Sequence, residues 1–296
     1  MIEIPEVVRN KAMAVGAERW ITELEGLVAE LETRWNIIVG SSYPDATEAF
    51  VAQAMRDDGA PLVLKVHIKR DGGDAFAEIT TLKIANGQGC VRLIDHDFPL
   101  GALLVERLGP SLRHLGLPIE RRHEILCDVA EQMWRPAPEC GLPTGRQMAV
   151  ARMETIRTLW EELDRPCAEV AVDYALMCGE RRAAAHDDER AVLIHGDVHQ
   201  WNTLKAGDRF KLVDPDGGLA EAECELGVLM REDPVELVEG DPRERSRYLA
   251  ARCDLDADAI WEWGAVERVW NGLLCTRDDL QPFGRQMLAA AELCVE

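Results

Sequence analysis

Val192-Leu-Ile-His-Gly-Asp-Val-His-Gln-Trp-Asn-Thr-Leu204, continued by Phe210-Lys-Leu-Val-Asp-Pro-Asp-Gly-Gly218, decides the reading of this chain. Two short apolar runs, Ala191 to Ile194 and Phe210 to Val213, have the length and composition of buried strands. Each ends in polar groups that an ordinary core strand does not choose. Asp197 and Asn202 stand five residues apart, and Asp214 follows twelve residues later. The turn-forming run Lys205-Ala-Gly-Asp-Arg209 is expected to join the two strands as a hairpin and carry all three groups to one edge. Two carboxylates and a carboxamide suit hard divalent cations such as Mg²⁺, and one carboxylate remains able to accept a proton.

Composition sets the bounds. With 296 residues and 47% hydrophobic content, the chain can bury a full core in one large or two modest domains. Its formal charge of -21, from 54 acidic and 33 basic residues, repels polyanions and argues against nucleic acid as a partner. An acidic surface first of all keeps a protein dispersed, and the same sign suits a cationic or polyhydroxylated small-molecule substrate. The opening residues lack a basic start and an apolar export core, and no apolar run reaches the ~18 residues of a membrane span. A cytoplasmic protein without membrane contact is the expectation. Nine cysteines without a C-x-x-C pair are read as free thiols, with no disulfide and no metal assigned to them. Oligomeric state is not written in the chain.

The run H-G-D-x-H-x-x-N followed by D-x-D-G resembles the aminoglycoside phosphotransferase family of small-molecule kinases, which share the protein-kinase fold and carry H-G-D where protein kinases carry H-R-D. Within it, the segment from Val213 to Pro234 is most similar to the streptomycin 6-kinase and hydroxyurea phosphotransferase branch. The resemblance extends from about Trp35 to Leu293. It implies an α+β, bilobal, protein-kinase-like fold. Residues 1–108 would form a small β-rich lobe with a leading helix and a nucleotide-gripping sheet, and residues 109–296 a larger, mostly helical lobe with the catalytic loop and substrate pocket. It implies ATP as phosphate donor, Mg²⁺ as cofactor and a hydroxyl of an aminoglycoside-like molecule as acceptor. Asp197 would orient or deprotonate that hydroxyl, while Asn202 and Asp214 hold metal. His195 and His199 are expected to brace the loop.

Taken in order, Val15 to Trp35 repeats apolar residues at three and four, as an amphipathic helix does. Ile37 to Ala54 reads as two strand-like pieces around a polar turn, where kinases place a glycine-rich phosphate loop; here Gly40 alone stands in for that run, so no backbone phosphate cradle is expected. In Leu62-Val-Leu-Lys-Val-His-Ile68 a charged residue interrupts an apolar strand, so Lys65 needs an anion. Glu78, in the helical run Ala75 to Ile84, can supply it, and by resemblance the pair grips the α- and β-phosphates. Cys90 to Pro110 reads as two strands around Asp95 to Gly101. The second leads into Glu106-Arg-Leu-Gly-Pro, similar to the kinase hinge, where backbone groups near Glu106 and Leu108 would take the adenine. Helices are expected over Ile119 to Trp134, Met148 to Leu163 and Cys167 to Ala185.

Past Gly218, acids at Glu221, Glu223, Glu225, Glu232, Asp233, Glu236, Glu239 and Asp241 read first as a solvated face. By resemblance this region adjoins the acceptor pocket, with Glu225, Arg231 and Trp270 as substrate-facing candidates. Trp261, Trp263, Arg268 and Trp270 fall on a final helical stretch, with core packing the default. Two other readings compete. A metal-dependent hydrolase could use His195, Asp197 and His199 at period two, but it leaves Lys65, Glu78, Asn202 and Asp214 without work. A non-catalytic ATP-binding module is motivated by the missing glycine-rich run. A kinase of another small polar metabolite, such as a sugar, an amino sugar, a choline-like or a hydroxyurea-like molecule, uses the same residues.

Overall fold

Alternation along Pro61-Leu-Val-Leu-Lys-Val-His67 builds the first unit: Leu62, Leu64 and Val66 are buried, while Val63, Lys65 and His67 on the opposite face are half-buried. The structure, a computed structural model, describes residues 2–44, 46–69, 74–137 and 140–295. The chain divides into two compact units, one comprising residues up to Gly109 together with Lys205–Asp216, the other Pro110–Leu204 together with Gly217–Glu296.

The first unit begins with helices α1 (Glu6–Ala14) and α2 (Glu18–Trp35). A five-stranded antiparallel sheet follows, made of β1 (Ile37–Ser42), β2 (Ala49–Arg56), β3 (Pro61–His67), β4 (Leu93–Asp97) and β5 (Ala102–Glu106) in the order β1-β2-β3-β5-β4. Both outer ladders slip register, between Val39 and Ser42 in β1 and between Leu93 and Asp95 in β4. Trp20, Leu24, Val28 and Leu31 repeat on one stripe of α2 and pack with Val8 and Ala12 of α1 against Phe50, Ala52, Leu64, Val66 and Leu104. That core covers one sheet face, and each fully buried large side chain in it contributes roughly 1.5–3 kcal/mol. Helix α3 (Asp74–Ala85) carries Glu78 to the Lys65 face.

In the second unit, the 3-10 turn Leu112–Leu115 precedes α4 (Ile119–Glu131), α5 (Gly145–Glu162) and α6 (Glu169–Ala185). Thr144 and Gln147 close a capping box at the start of α5, which satisfies two helix-end amides. The sequence-based hairpin is corrected here. β6 (Val192–Ile194) pairs antiparallel with β9 (Gly218–Ala220), whereas the Gly207 turn joins β7 (Thr203–Ala206) to β8 (Arg209–Leu212). Apolar content marks a buried strand but says nothing about its partner, and the partner of β6 lies beyond the next hairpin. The chain continues through α7 (Ala222–Leu229), α8 (Pro234–Leu237), α9 (Pro242–Cys253), α10 (Ala257–Arg277) and α11 (Phe283–Leu293). Val266, Val269 and Leu273 of α10 pack with Ile156, Leu159, Ala175 and Leu288 into the helical core. No described helix is long and apolar enough to cross a membrane.

Candidate active site

The loop after β6 is fixed by its backbone. Gly196 has φ +86°, a left-handed conformation that a side chain disfavours, and this accounts for glycine between His195 and Asp197. The amides of His195 and Gly196 both donate to Glu225, at 2.6 and 2.9 Å. Glu225 is fully buried, and burial pushes its carboxyl up to about 7 against those two backbone donors. His195 is buried as well, and its Nδ1 accepts from the Asp197 amide at 3.2 Å.

Asp197 faces three donors. Arg231 donates to its Oδ1, His199 Nε2 lies 3.0 Å from its Oδ2, and Asn202 Nδ2 donates to the same oxygen at 2.9 Å. Burial opposes the charge, but His199 and Arg231 overcome it and hold the carboxyl well below the usual carboxylate range. Its side chain is 26% exposed, so it remains reachable. His199 Nδ1 accepts the Trp201 amide at 3.2 Å, which leaves Nε2 to carry the proton shared with Asp197. Burial disfavours a second proton on that ring and Asp197 favours it, the balance raising the imidazole's pKa. With its NH₂ turned to Asp197, Asn202 keeps its Oδ1 without a protein partner among the described residues.

Behind Asp197 runs a buried line of charges. Arg231 also pairs with Glu267, and Glu267 lies 2.8 Å from Arg152. Glu267 is 0% exposed, and both arginines are 5% exposed. Burial alone would lower the pKa of the Arg231 guanidinium, but Glu267 and Asp197 outweigh it and raise it. Gln200 is held separately, donating to Glu232 at 3.0 Å and accepting from Arg122 at 2.7 Å.

The first unit has its own ion cluster. Lys65 Nζ donates to Glu78 at 2.7 Å and to Asp214 at 3.0 Å, and His67 Nε2 lies 2.6 Å from the same Glu78 oxygen. Burial would lower the pKa of Lys65, but Asp214 and Glu78 outweigh it and raise it. Burial likewise opposes the charge on Glu78, and Lys65 with His67 overcomes it, holding the carboxyl at about 2. Asp214 sits at φ +58° immediately before a proline, a conformation uncommon for a residue with a side chain and the kind of strain that gathers at functional sites. Its Oδ1 meets Lys65, and its Oδ2 has no protein partner among the described residues. Glu106, Leu108 and Gly109 line an open cleft of about 560 Å³ with Lys205, Gly207 and Lys211. The Glu106 carboxylate is taken by Lys211 and the Arg92 amide, whereas the Leu108 amide has no protein acceptor among the described residues.

Comparison with known proteins decides the family. Residues 34–268 match the family described as aminoglycoside/hydroxyurea antibiotic resistance kinase. The chain belongs to this family. A streptomycin 6-kinase of Streptomyces glaucescens is 31% identical over 73% of this chain and 70% of its own length. A hydroxyurea phosphotransferase of Kitasatospora aureofaciens is 30% identical, of which the chain spans 64%. A second streptomycin 6-kinase, from Streptomyces griseus, is 26% identical over 98% of this chain and 96% of its own. Among solved structures, an aminoglycoside phosphotransferase APH(4)-Ia bound to ADP and hygromycin B superposes with a TM-score of 0.63 at 14% identity, over 90% of this chain and 96% of that one. A choline kinase of Cryptosporidium parvum gives 0.63 at 11% identity, over 92% and 95%. These likenesses show the kinase fold, and the family makes the protein a phosphotransferase.

In this kinase the sequence-based candidates fall into two sets. Asp197, Asn202 and Arg231 meet in the second unit, and Lys65, Glu78 and Asp214 meet in the first. The three candidates for the acceptor wall, Glu225, Trp270 and Arg231, each have partners within the protein. Glu225 spends both oxygens on loop amides and is sealed from solvent, so it braces the loop. Trp270 is half-buried, packs on the helical core and lies under the Arg152 guanidinium, 4.9 Å from its ring centroid. Arg231, expected to face substrate, binds Asp197 instead. The acidic run is no uniform solvated face either, because Glu223, Glu225 and Glu232 are buried. Sequence reasoning missed His67, Glu267 and Arg152. His67 had a signal: it lies two residues from Lys65 and shares its strand face.

Proposed function

We propose that this kinase transfers the γ-phosphate of ATP to a hydroxyl of a streptomycin-type aminoglycoside, with Mg²⁺ as cofactor. The observation that carries the reading is the environment of Asp197, a reachable carboxylate kept ionised by His199 and Arg231 and hydrogen-bonded to the amide of Asn202. A carboxylate held so far below its usual range is a weak base, which suits a loose transfer in which the acceptor hydroxyl needs orientation more than early deprotonation. Asp197 aligns the hydroxyl and receives its proton late, as the new P–O bond forms.

The unpartnered oxygens of Asn202 and Asp214 suit Mg²⁺, which takes one or two protein oxygens and keeps water for the rest. When bound, the metal supplies charge neutralisation at the phosphates. Lys65, positioned by Glu78 and His67, pairs with phosphate oxygens, and the backbone at Glu106 and Leu108 takes the adenine. The streptomycin 6-kinase relatives support the acceptor class, and a net charge of -21 favours encounter with a polycation.

The test is ADP release measured across streptomycin, other aminoglycosides, hydroxyurea, sugars and amino alcohols. Streptomycin should give the highest kcat/KM. Asp197→Asn should cut turnover about 10²–10⁴-fold yet keep the rise in melting temperature on adding AMP-PNP. Normal turnover in that variant would remove Asp197 from its role, and equal turnover of plain sugars would displace the aminoglycoside.

A further inference from the structure

Part of the acidic run past Gly218 has no role in the candidate active site. Within the second unit, α4, α8, α9 and the loop between the last two line an open cavity of about 450 Å³, walled by Glu120, Glu236, Glu239, Asp241 and Glu244. A cavity of that volume is the size of a small-molecule site.

Its charges are unbalanced. Asp241 accepts from the Arg243 amide at 2.9 Å and pairs with Arg247 at 2.6 Å, but Glu120, Glu236, Glu239 and Glu244 have no ion-pair partner among the described residues. Arg245, the one cation lining the cavity among the described residues, is spent on backbone, donating to the carbonyls of Leu229, Glu232 and Asp233. Solvent alone could account for such carboxylates. His123 supplies the second, independent sign of a ligand. It lines the same cavity from α4 and is 4% exposed, yet its Nε2 is a buried polar atom with no hydrogen-bond partner among the described residues. Burial, with Arg245 and Arg122 beside it, holds the imidazole at about 3, so the ring is neutral and has a lone pair to offer. The Tyr248 ring, 39% exposed, lies 6.5 Å from the His123 ring between centroids.

Carboxylates, an aromatic face and a neutral acceptor together select a cation. A bare metal ion does not fit, because among the described residues no three His, Cys, Asp or Glu side chains converge as ligands. Charges spread around a cavity of this volume, with Ile119 and Leu237 also on its wall, match several cationic nitrogens carried on one small molecule. We propose that this cavity binds a small organic polycation, whose ammonium or guanidinium groups pair with Glu236, Glu239 and Glu244, rest on Tyr248 and donate to His123. A free polyamine and the cationic portion of a phosphoryl acceptor share that chemistry. Every group invoked belongs to the second unit, and none depends on ATP.

The test is titration calorimetry of the full chain with spermidine and, separately, with streptomycin. At least one should bind one-to-one. Glu236→Gln with Glu239→Gln should weaken that binding about five- to tenfold, and Tyr248→Ala about three- to tenfold. Glu154→Gln with Glu169→Gln removes the same charge from exposed positions on α5 and α6 and should change it less than twofold. His123→Phe should weaken it as well; the other substitutions lie at exposed positions, so the test stands even where that buried one fails to fold. Weakened spermidine binding in the Glu236 and Glu239 variant assigns the cavity to a free polyamine, and weakened streptomycin binding assigns it to the acceptor. Absence of binding by either cation, or affinities of the Glu236 and Glu239 variant and of Tyr248→Ala within twofold of wild type, overturns the site. Equal weakening by the two carboxylate pairs also overturns it, by reducing the binding to attraction by the net charge of -21. Loss of ADP release with spermidine binding intact would instead strike the kinase reading and leave this site standing.

Discussion

The two units each hold a candidate-site carboxylate with buried charge, and they do so in opposite ways. In the first, Lys65, His67 and Glu78 lie within fourteen residues of sequence, and the sheet supplies the geometry through its two-residue period. In the second, Asp197 is held by Arg231, Arg231 by Glu267, and Glu267 by Arg152, four residues drawn from a loop, the turn after α7, α10 and α5. The local cluster should tolerate loss of one member, because Glu78 has two donors. The dispersed line should not, since each interior charge depends on the next, and leaving one unpaired in a dry core costs far more than the pair contributes.

Glu267→Gln tests that contrast most strongly. It leaves Arg231 and Arg152 short of a counter-charge and should destabilise the fold by about 3–5 kcal/mol, read by urea unfolding, with a fall in kcat as Arg231 loses its hold on Asp197. Adding Arg231→Met to the same chain should recover part of that loss, since Arg152 still lacks its counter-charge, without recovering turnover. If Glu267→Gln melts like the wild type, the line of charges has no structural role. His67→Ala should cost less, about 1–2 kcal/mol, because Lys65 still neutralises Glu78; a loss as large as that of Glu267→Gln would erase the distinction between the units.

The smallest effect lies in a slope. The Glu225 carboxyl sits at about 7 against an ordinary 4.5, raised on folding, so its contribution to stability is full below pH about 4.5 and lost as pH rises through about 7. Glu78, lowered to about 2, behaves oppositely: its contribution is present above about 4.5 and lost as pH falls toward 2. Glu225→Gln should therefore flatten the decline in stability between pH about 4.5 and 7 while leaving the acid limb in place. A slope unchanged by this substitution would assign the decline to another group.

What could be read from the sequence follows the same division. Lys65, Glu78, Asp197, Asn202 and Asp214 lie in short contiguous segments whose spacing is set by strand and loop geometry, and they were legible. His67 was legible in principle from its place on the Lys65 face. Glu267 was not, because within Trp-Gly-Ala-Val-Glu-Arg-Val-Trp on α10 it reads as one charge on a packing helix, and only tertiary structure brings it to Arg231. Glu225 reads as acceptor-facing only by resemblance to the family branch. Its partners are two backbone amides that carry no sequence signature. The strand partner of β6 was missed for a related reason, since ladder pairing is a property of the assembled sheet.

The slipped outer ladders at Val39 to Ser42 and Leu93 to Asp95 have a consequence away from catalysis. A regular, straight margin is a template onto which another chain can zip, and a kink in each margin removes that template. With Asp95 and Asp97 adding charge along one margin, strand-by-strand growth into fibrils or swapped assemblies is disfavoured, even though Ile38 on the other margin stands open to water.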